Sequence, residues 1–163
     1  MADFYSETAE SYNALYGEEQ EDKLKWIRQN LIVGRKLLDI GCGTGVSTKY
    51  FSDKAICVGL DRSKEMLDKA KGDFITVLGT AENLPFPDKS FDTVISVTAI
   101  HNFEDYIAAL NEIKRVMKEN GSVAISVLKR SSRAEEIVKM IKAYFKITKE
   151  IEERQDFILI GTY

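Results

Sequence analysis

Three glycines at alternate positions, Gly41, Gly43 and Gly45, follow an apolar run through Asp39 and Ile40 in the stretch LLDIGCGTG, residues 37–45. At the carboxyl end of a strand, this spacing brings bare main-chain N–H groups and a helix N-terminus within reach of a nucleotide or a carboxylate. A second acid, Asp61, follows Gly41 by 20 residues. A carboxylate ending the next strand can accept both hydroxyls of an adenosine ribose. A dinucleotide-binding loop uses the same two parts, so these features alone do not choose the ligand. Val46, however, occupies the place where GxGxxG needs its last glycine, and a branched residue there obstructs close helix packing on the strand. Lys49 is not in a phosphate-loop position either.

The single histidine, His101, lies just beyond an apolar run. With an ordinary pKa of about 6.5 it suits a proton acceptor at neutral pH, and its other reading is a loop histidine that shapes the pocket. Asn102 beside it can orient a ligand. Cys42 and Cys57 read as a small loop residue and a buried strand residue, since neither has a base beside it in sequence.

These residues need elements to position them. Leu24, Ile27 and Leu31 at helical spacing predict a helix over 18–31. Short apolar runs then alternate with amphipathic helices: strands at 36–40, 55–60, 74–78, 91–97 and 122–128, and helices opening at Val46, over 63–71, over 105–118 and over 132–143. Ser63 is the expected N-cap of its helix, with Met66, Leu67 and Ala70 as the inward stripe. Asn120-Gly121 is the expected stop after residue 118. Both prolines, Pro85 and Pro87, fall in the loop AENLPFPDKS, which marks it as ordered and non-helical. Two β-rich runs, 145–151 and 157–163, flank the charged turn EERQD and predict an antiparallel hairpin. The expected fold is α/β: a Rossmann-like three-layer sandwich with a seven-stranded, mostly parallel sheet and a C-terminal antiparallel hairpin.

The chain has 163 residues, which predicts a single domain: residues 1–31 as an N-terminal helical lid and 36–163 as a cofactor-binding α/β core. Two cysteines and one histidine leave no disulfide framework and no zinc-ligand pattern, so no metal is expected. Lys and Arg total 23 against 26 acids, a net charge of −3, which does not indicate nucleic acid as a partner. Lys129, Arg130, Arg133, Lys139, Lys142 and Lys146 form a local basic cluster that suits an anionic partner or simply a solvated helix face. The acidic N-terminus does not read as a signal peptide and no run is long enough to span a membrane, so a cytoplasmic location is expected.

The segments LLDIGCGTG, VGLDRSKEML, GTAENLPFPDKSFDTVIS, AIHNFED and EIKRVMKENGSVAIS, in that order over about residues 37–128, resemble the class I S-adenosylmethionine-dependent methyltransferases. The resemblance is to the group that includes the ubiquinone and menaquinone biosynthesis methyltransferases. It implies S-adenosyl-L-methionine as cofactor and S-adenosyl-L-homocysteine as product. It also implies that Gly41, Cys42, Gly43 and Gly45 line the methionine part, with Asp39 supporting the loop, and that Asp61 holds the ribose hydroxyls. Arg62 and Met66 would lie near the adenine, and Ala81 and Glu82 would approach its edge. Thr98 to Asn102 would face the sulfonium and the acceptor, while Tyr12 and Tyr16 match aromatic positions that close over the cofactor. Thr80 departs from the family, standing where many relatives have an acid, and Glu119-Asn120-Gly121 replaces the usual Pro-Gly-Gly.

The expected activity is methyl transfer to an acceptor, a small molecule being favoured. In-line alignment can supply much of the acceleration, with His101 removing a proton where the acceptor needs it. The alternatives are a catalytic subunit acting on RNA or protein with a partner or activator subunit, and a nicotinamide-dependent oxidoreductase. Val46 and the proline loop disfavour the last.

Overall fold

The computed structural model describes residues 17–163. Tyr12 and Tyr16 lie outside the described residues, as does the first part of the expected lid. Residues 17–30 form helix α1, followed by β1 (Lys36–Ile40), α2 (Val46–Phe51), β2 (Ile56–Asp61), α3 (Lys64–Lys69), β3 (Ile75–Leu78) and β4 (Phe91–Val97). A 3-10 turn at Ile100–Asn102 leads to α4 (Tyr106–Val116), β5 (Met117–Leu128), α5 (Ala134–Tyr144), β6 (Lys146–Glu152) and β7 (Asp156–Thr162). The strands make one seven-stranded sheet in the order β3-β2-β1-β4-β5-β7-β6. Its first five strands run parallel, and β7 pairs antiparallel with both β5 and β6.

Alternation along the central strands divides the core into two layers. Leu38, Ile40, Val94, Val123 and Ile125 pack with Leu110 and Ile113 of α4 and Ile137 and Ile141 of α5. Leu37, Ile95 and Ala124 point the other way, against Leu24, Ile27 and Leu31 of the first helical segment and Phe51 of α2. The order reverses between β1 and β4, which open a crevice at their carboxyl ends.

Two expectations, for α3 and for the end of α4, are corrected, and the place of β3 is new. Helix α3 stops at Lys69 and buries no residue; Ser63 caps it as expected, its hydroxyl accepting the Met66 N–H at 3.2 Å, but Met66 is exposed rather than inward. Strand β3 is an outer strand, so its apolar residues Ile75 and Leu78 stay exposed. Helix α4 ends at Val116, ahead of the Asn-Gly signal, because the preceding loop takes its last carbonyls: Lys89 and Ser90 donate their N–H groups to Arg115 and Val116 at 2.9 and 2.8 Å. The chain is then already extended at Met117, which pairs with Phe91, and Asn120 at φ +63° marks the bend that shifts the β4–β5 register.

Candidate active site

The glycine loop leaves β1 and folds back over the end of β2. Gly41 and Cys42 donate their N–H groups to Leu60 O at 2.8 and 3.0 Å, Gly43 donates to Asp61 Oδ2 at 2.8 Å, and Gly45 donates to Cys42 O at 2.9 Å. The expected bare N–H groups at these four positions are therefore spent inside the loop. What the glycines contribute is conformation and close approach. Gly41, Gly43 and Gly45 have φ of +76°, +55° and +85°, a region that costs other residues roughly 1–2 kcal/mol. A Cβ on Gly41 or Gly45 would collide with Ala99 at 2.6 Å or Phe74 at 2.5 Å, whereas one on Gly43 would meet nothing within 4 Å.

Asp39 underlies the loop, fully buried. Its Oδ2 accepts the hydroxyls of Ser47 at 2.5 Å and Thr48 at 2.8 Å, tying the start of α2 to β1, while Oδ1 has no donor among the described residues. Burial pushes its pKa up to about 6, against the pull of the two hydroxyls. Burial likewise pushes the Cys42 thiol up to about 12 and Cys57 to about 11, which leaves both as unreactive thiols at neutral pH.

Asp61 ends β2 as the spacing predicts. Besides Gly43, it accepts the Ser63 N–H on Oδ1 at 2.9 Å, so one carboxylate fastens the loop and the approach to α3. Beyond it lies a cavity of about 910 Å³ whose walls include Gly41, Cys42, Gly43, Asp61, Arg62 and Met66. Thr80, Ala81, Glu82, Thr98 and Asn102 complete the set that the structure brings together from the residues singled out in the sequence. Asp39 and Gly45 stand behind the wall as supports.

His101 is not among the lining residues. Its backbone carbonyl accepts Arg133 Nη2–H at 2.7 Å, and its Nδ1 is buried without a partner among the described residues. Burial lowers its pKa, with Asp156 opposing and Arg133 reinforcing the shift, so the ring is neutral at pH 7.

Several residues that brace the loops around the cavity were not singled out for that role in the sequence. Arg133 also donates to Phe103 O at 2.8 Å and stacks 5.3 Å over Tyr106, pinning the turn that carries Asn102. Arg115 and Glu112 do the same for the proline loop: Arg115 donates to Phe86 O and Leu84 O, and Glu112 accepts the Leu84 N–H. A loop with two prolines needs outside partners for its main chain, which is the cue that could have pointed to them. Gln20, Glu21 and Leu24 of α1 close one side of the cavity. The basic cluster does not persist as a patch, because Arg133 turns inward and Lys129 and Lys142 pair with Glu152 and Glu150 at 2.9 Å.

The cavity falls within the roughly 300–1,000 Å³ of small-ligand sites. A side-chain-free approach at Gly43, a carboxylate at the β2 end and the apolar side chains of Met66 and Ala81 fit, in that order, the chain, sugar and base of an adenosylated amino acid. Among the described residues there is no cluster of side chains able to hold a metal, and no helix is long and apolar enough to cross a membrane.

Residues 38–125 match the family model Methyltransf_11, a methyltransferase domain. The chain is 33% identical over 159 residues to the uncharacterized protein MJ1252 of Methanocaldococcus jannaschii, covering 95% of this chain and 62% of that one. It is 39% identical over 101 residues to the demethylmenaquinone methyltransferase of Corynebacterium glutamicum, covering 61% of this chain and 44% of that protein. The chain thus spans less than two thirds of these curated relatives. A SAM-dependent methyltransferase from Aquifex aeolicus superposes with a TM-score of 0.73 at 21% identity, over 87% of this chain and 88% of that one, and so shares the fold. With the family model covering more than half its length, the chain belongs to the class I S-adenosylmethionine-dependent methyltransferases.

Proposed function

We propose that this chain transfers a methyl group from S-adenosylmethionine to a small-molecule acceptor. The observation that carries the reading is a cavity whose lining runs from Asp61 past the glycine loop to Thr98 and Asn102. When bound, the cofactor supplies an electrophilic methyl group on a sulfonium. Asp61 accepts the ribose hydroxyls while its N–H contacts hold the loop rigid. Gly43 lets the methionine chain lie against the backbone, and Met66 and Ala81 enclose the base. Thr98, held at φ +51° with its N–H on Ser126 Oγ at 2.7 Å, fixes the wall where acceptor and methyl must align. Helix α1 covers one side of the site through Gln20, Glu21 and Leu24. His101, which stands outside the cavity wall, takes its other reading here, a loop histidine that shapes the pocket, and alignment of acceptor and methyl carries the step.

A labelled-methyl screen over separated small-molecule, RNA and protein fractions tests the reading; transfer confined to RNA or protein would overturn it. Calorimetry should show S-adenosylhomocysteine binding and no NAD binding. A second reading, a catalytic subunit with a protein partner, draws on β3: Ile75 and Leu78 are 57% and 56% exposed on an outer strand, a surface suited to pairing. Co-purification of a stoichiometric partner that is required for transfer would decide for it.

A further inference from the structure

Thr98 and Gln20 line both the main cavity and a second one of about 440 Å³ between α1, the end of β5 and the β6–β7 turn. One of its lining residues is a carboxylate of unusual setting. Asp156, the first residue of β7, pairs in register with Leu128 at the carboxyl end of β5 and is only 1% exposed. Its Oδ2 is paired with the ammonium of Lys23, itself 5% exposed, and accepts the Thr98 hydroxyl at 3.2 Å. Lys23 also donates to Thr98 Oγ1 at 2.6 Å, so α1, the end of β4 and the start of β7 meet in one polar knot. Asp156 Oδ1 has no donor among the described residues.

A buried carboxylate oxygen without a donor is unfavourable, and only an incoming N–H or O–H can satisfy it. The surroundings select which. Five carboxylates line this cavity against three cations, Lys23, Arg130 and Arg154. Lys23 is committed to Asp156 and Arg154 lies 3.9 Å from Glu19, so the field favours a positive guest over an anion. Nearby His101, kept neutral by burial, adds no opposing charge at pH 7.

Resting on the small-molecule reading above, we propose that this side cavity is the acceptor's recess and that Asp156 Oδ1 receives an N–H of a cationic group, a primary ammonium or an amidinium. The acceptor then reaches past Thr98 toward the cofactor, and its charged group sets which molecules enter.

The test titrates the full chain, with and without saturating S-adenosylhomocysteine, with putrescine and agmatine, and with 1,4-butanediol and glutarate as neutral and anionic counterparts. The amines should bind and the diol and diacid should not. Asp156→Asn should weaken amine binding about tenfold or more, as expected for a hydrogen bond to a charged group, while S-adenosylhomocysteine affinity stays unchanged. Because that variant leaves Lys23 buried without its partner, Lys23→Met is the second probe. It frees the carboxylate, so amine affinity should hold or rise. Amines that fail to bind in either condition, or that bind equally well to Asp156→Asn, overturn the proposal. A chain that binds amines but not S-adenosylhomocysteine instead contradicts the cofactor reading and leaves the recess supported.

Discussion

Asp61 carries two loads that one substitution separates. Its carboxylate accepts the N–H groups of Gly43 and Ser63 at 2.8 and 2.9 Å, and it borders the cavity where the ribose is expected. Asp61→Ala removes both main-chain contacts. Hydrogen bonds to charged groups contribute about 1.5–3 kcal/mol each when sheltered, but this side chain is half-exposed and water replaces part of the loss, so the stability cost should be about 1–3 kcal/mol. At roughly 2–4 °C per kcal/mol, melting should fall by about 2–12 °C. The ligand loses two further hydrogen bonds, so S-adenosylhomocysteine should bind about a hundredfold more weakly by calorimetry. Asp61→Asn keeps the shape yet must turn its amide toward one of the two N–H donors, and it should fall between wild type and alanine in both assays. A lowered melting temperature with unchanged ligand affinity would refute the reasoning, leaving Asp61 as a loop brace alone.

Further outcomes are expected of the loop and its supports. Gly45→Ala forces a Cβ to within 2.5 Å of the Phe74 ring and should destabilise strongly, whereas Gly43→Ala has room and should lose only about 1–2 kcal/mol while weakening S-adenosylhomocysteine binding; paired melting and calorimetry check this. Burial raises the Asp39 pKa from 3.8 to about 6, so the folded state keeps a proton that the unfolded chain has already released. Stability should therefore fall by up to roughly 3 kcal/mol as pH rises from about 4 to 6 and then level off. Asp39→Asn should abolish that component in denaturant melts, and parallel pH curves for the two proteins would contradict it. Arg133→Lys keeps the charge but is shorter and loses the planar guanidinium that lies over Tyr106 and reaches the His101 and Phe103 carbonyls, so it should cost about 1–2 kcal/mol in melts and loosen the Asn102 turn, read as a few-fold weaker S-adenosylhomocysteine affinity.

Much of this protein is legible in local sequence because the determinants are local. The alternation of apolar runs and amphipathic stretches, the glycine spacing and the acid at the β2 end each act within a strand–loop–helix unit, and the sheet type follows from their repetition. Boundaries shifted where another part of the chain competed. Helix α4 stops early because Lys89 and Ser90, far off in sequence, take its terminal carbonyls. Met66, spaced as a core residue, remains exposed because α3 is too short and too near the sheet edge to be covered.

Tertiary structure alone decided the rest. No spacing rule joins Lys23, Thr98 and Asp156, which lie 75 and 58 residues apart and meet only because β7 inserts between β5 and β6 and returns its first residue to the carboxyl edge. Nor does the sequence say that the loop's N–H groups are spent internally, since Leu60 and Asp61 reach them only through the parallel pairing of β1 with β2. The sequence by itself determined the glycine-loop end of the cavity, because a glycine turn and an acid on adjacent strands are short-range features. The shape and charge of the side cavity arise from side chains that only the completed sheet brings together.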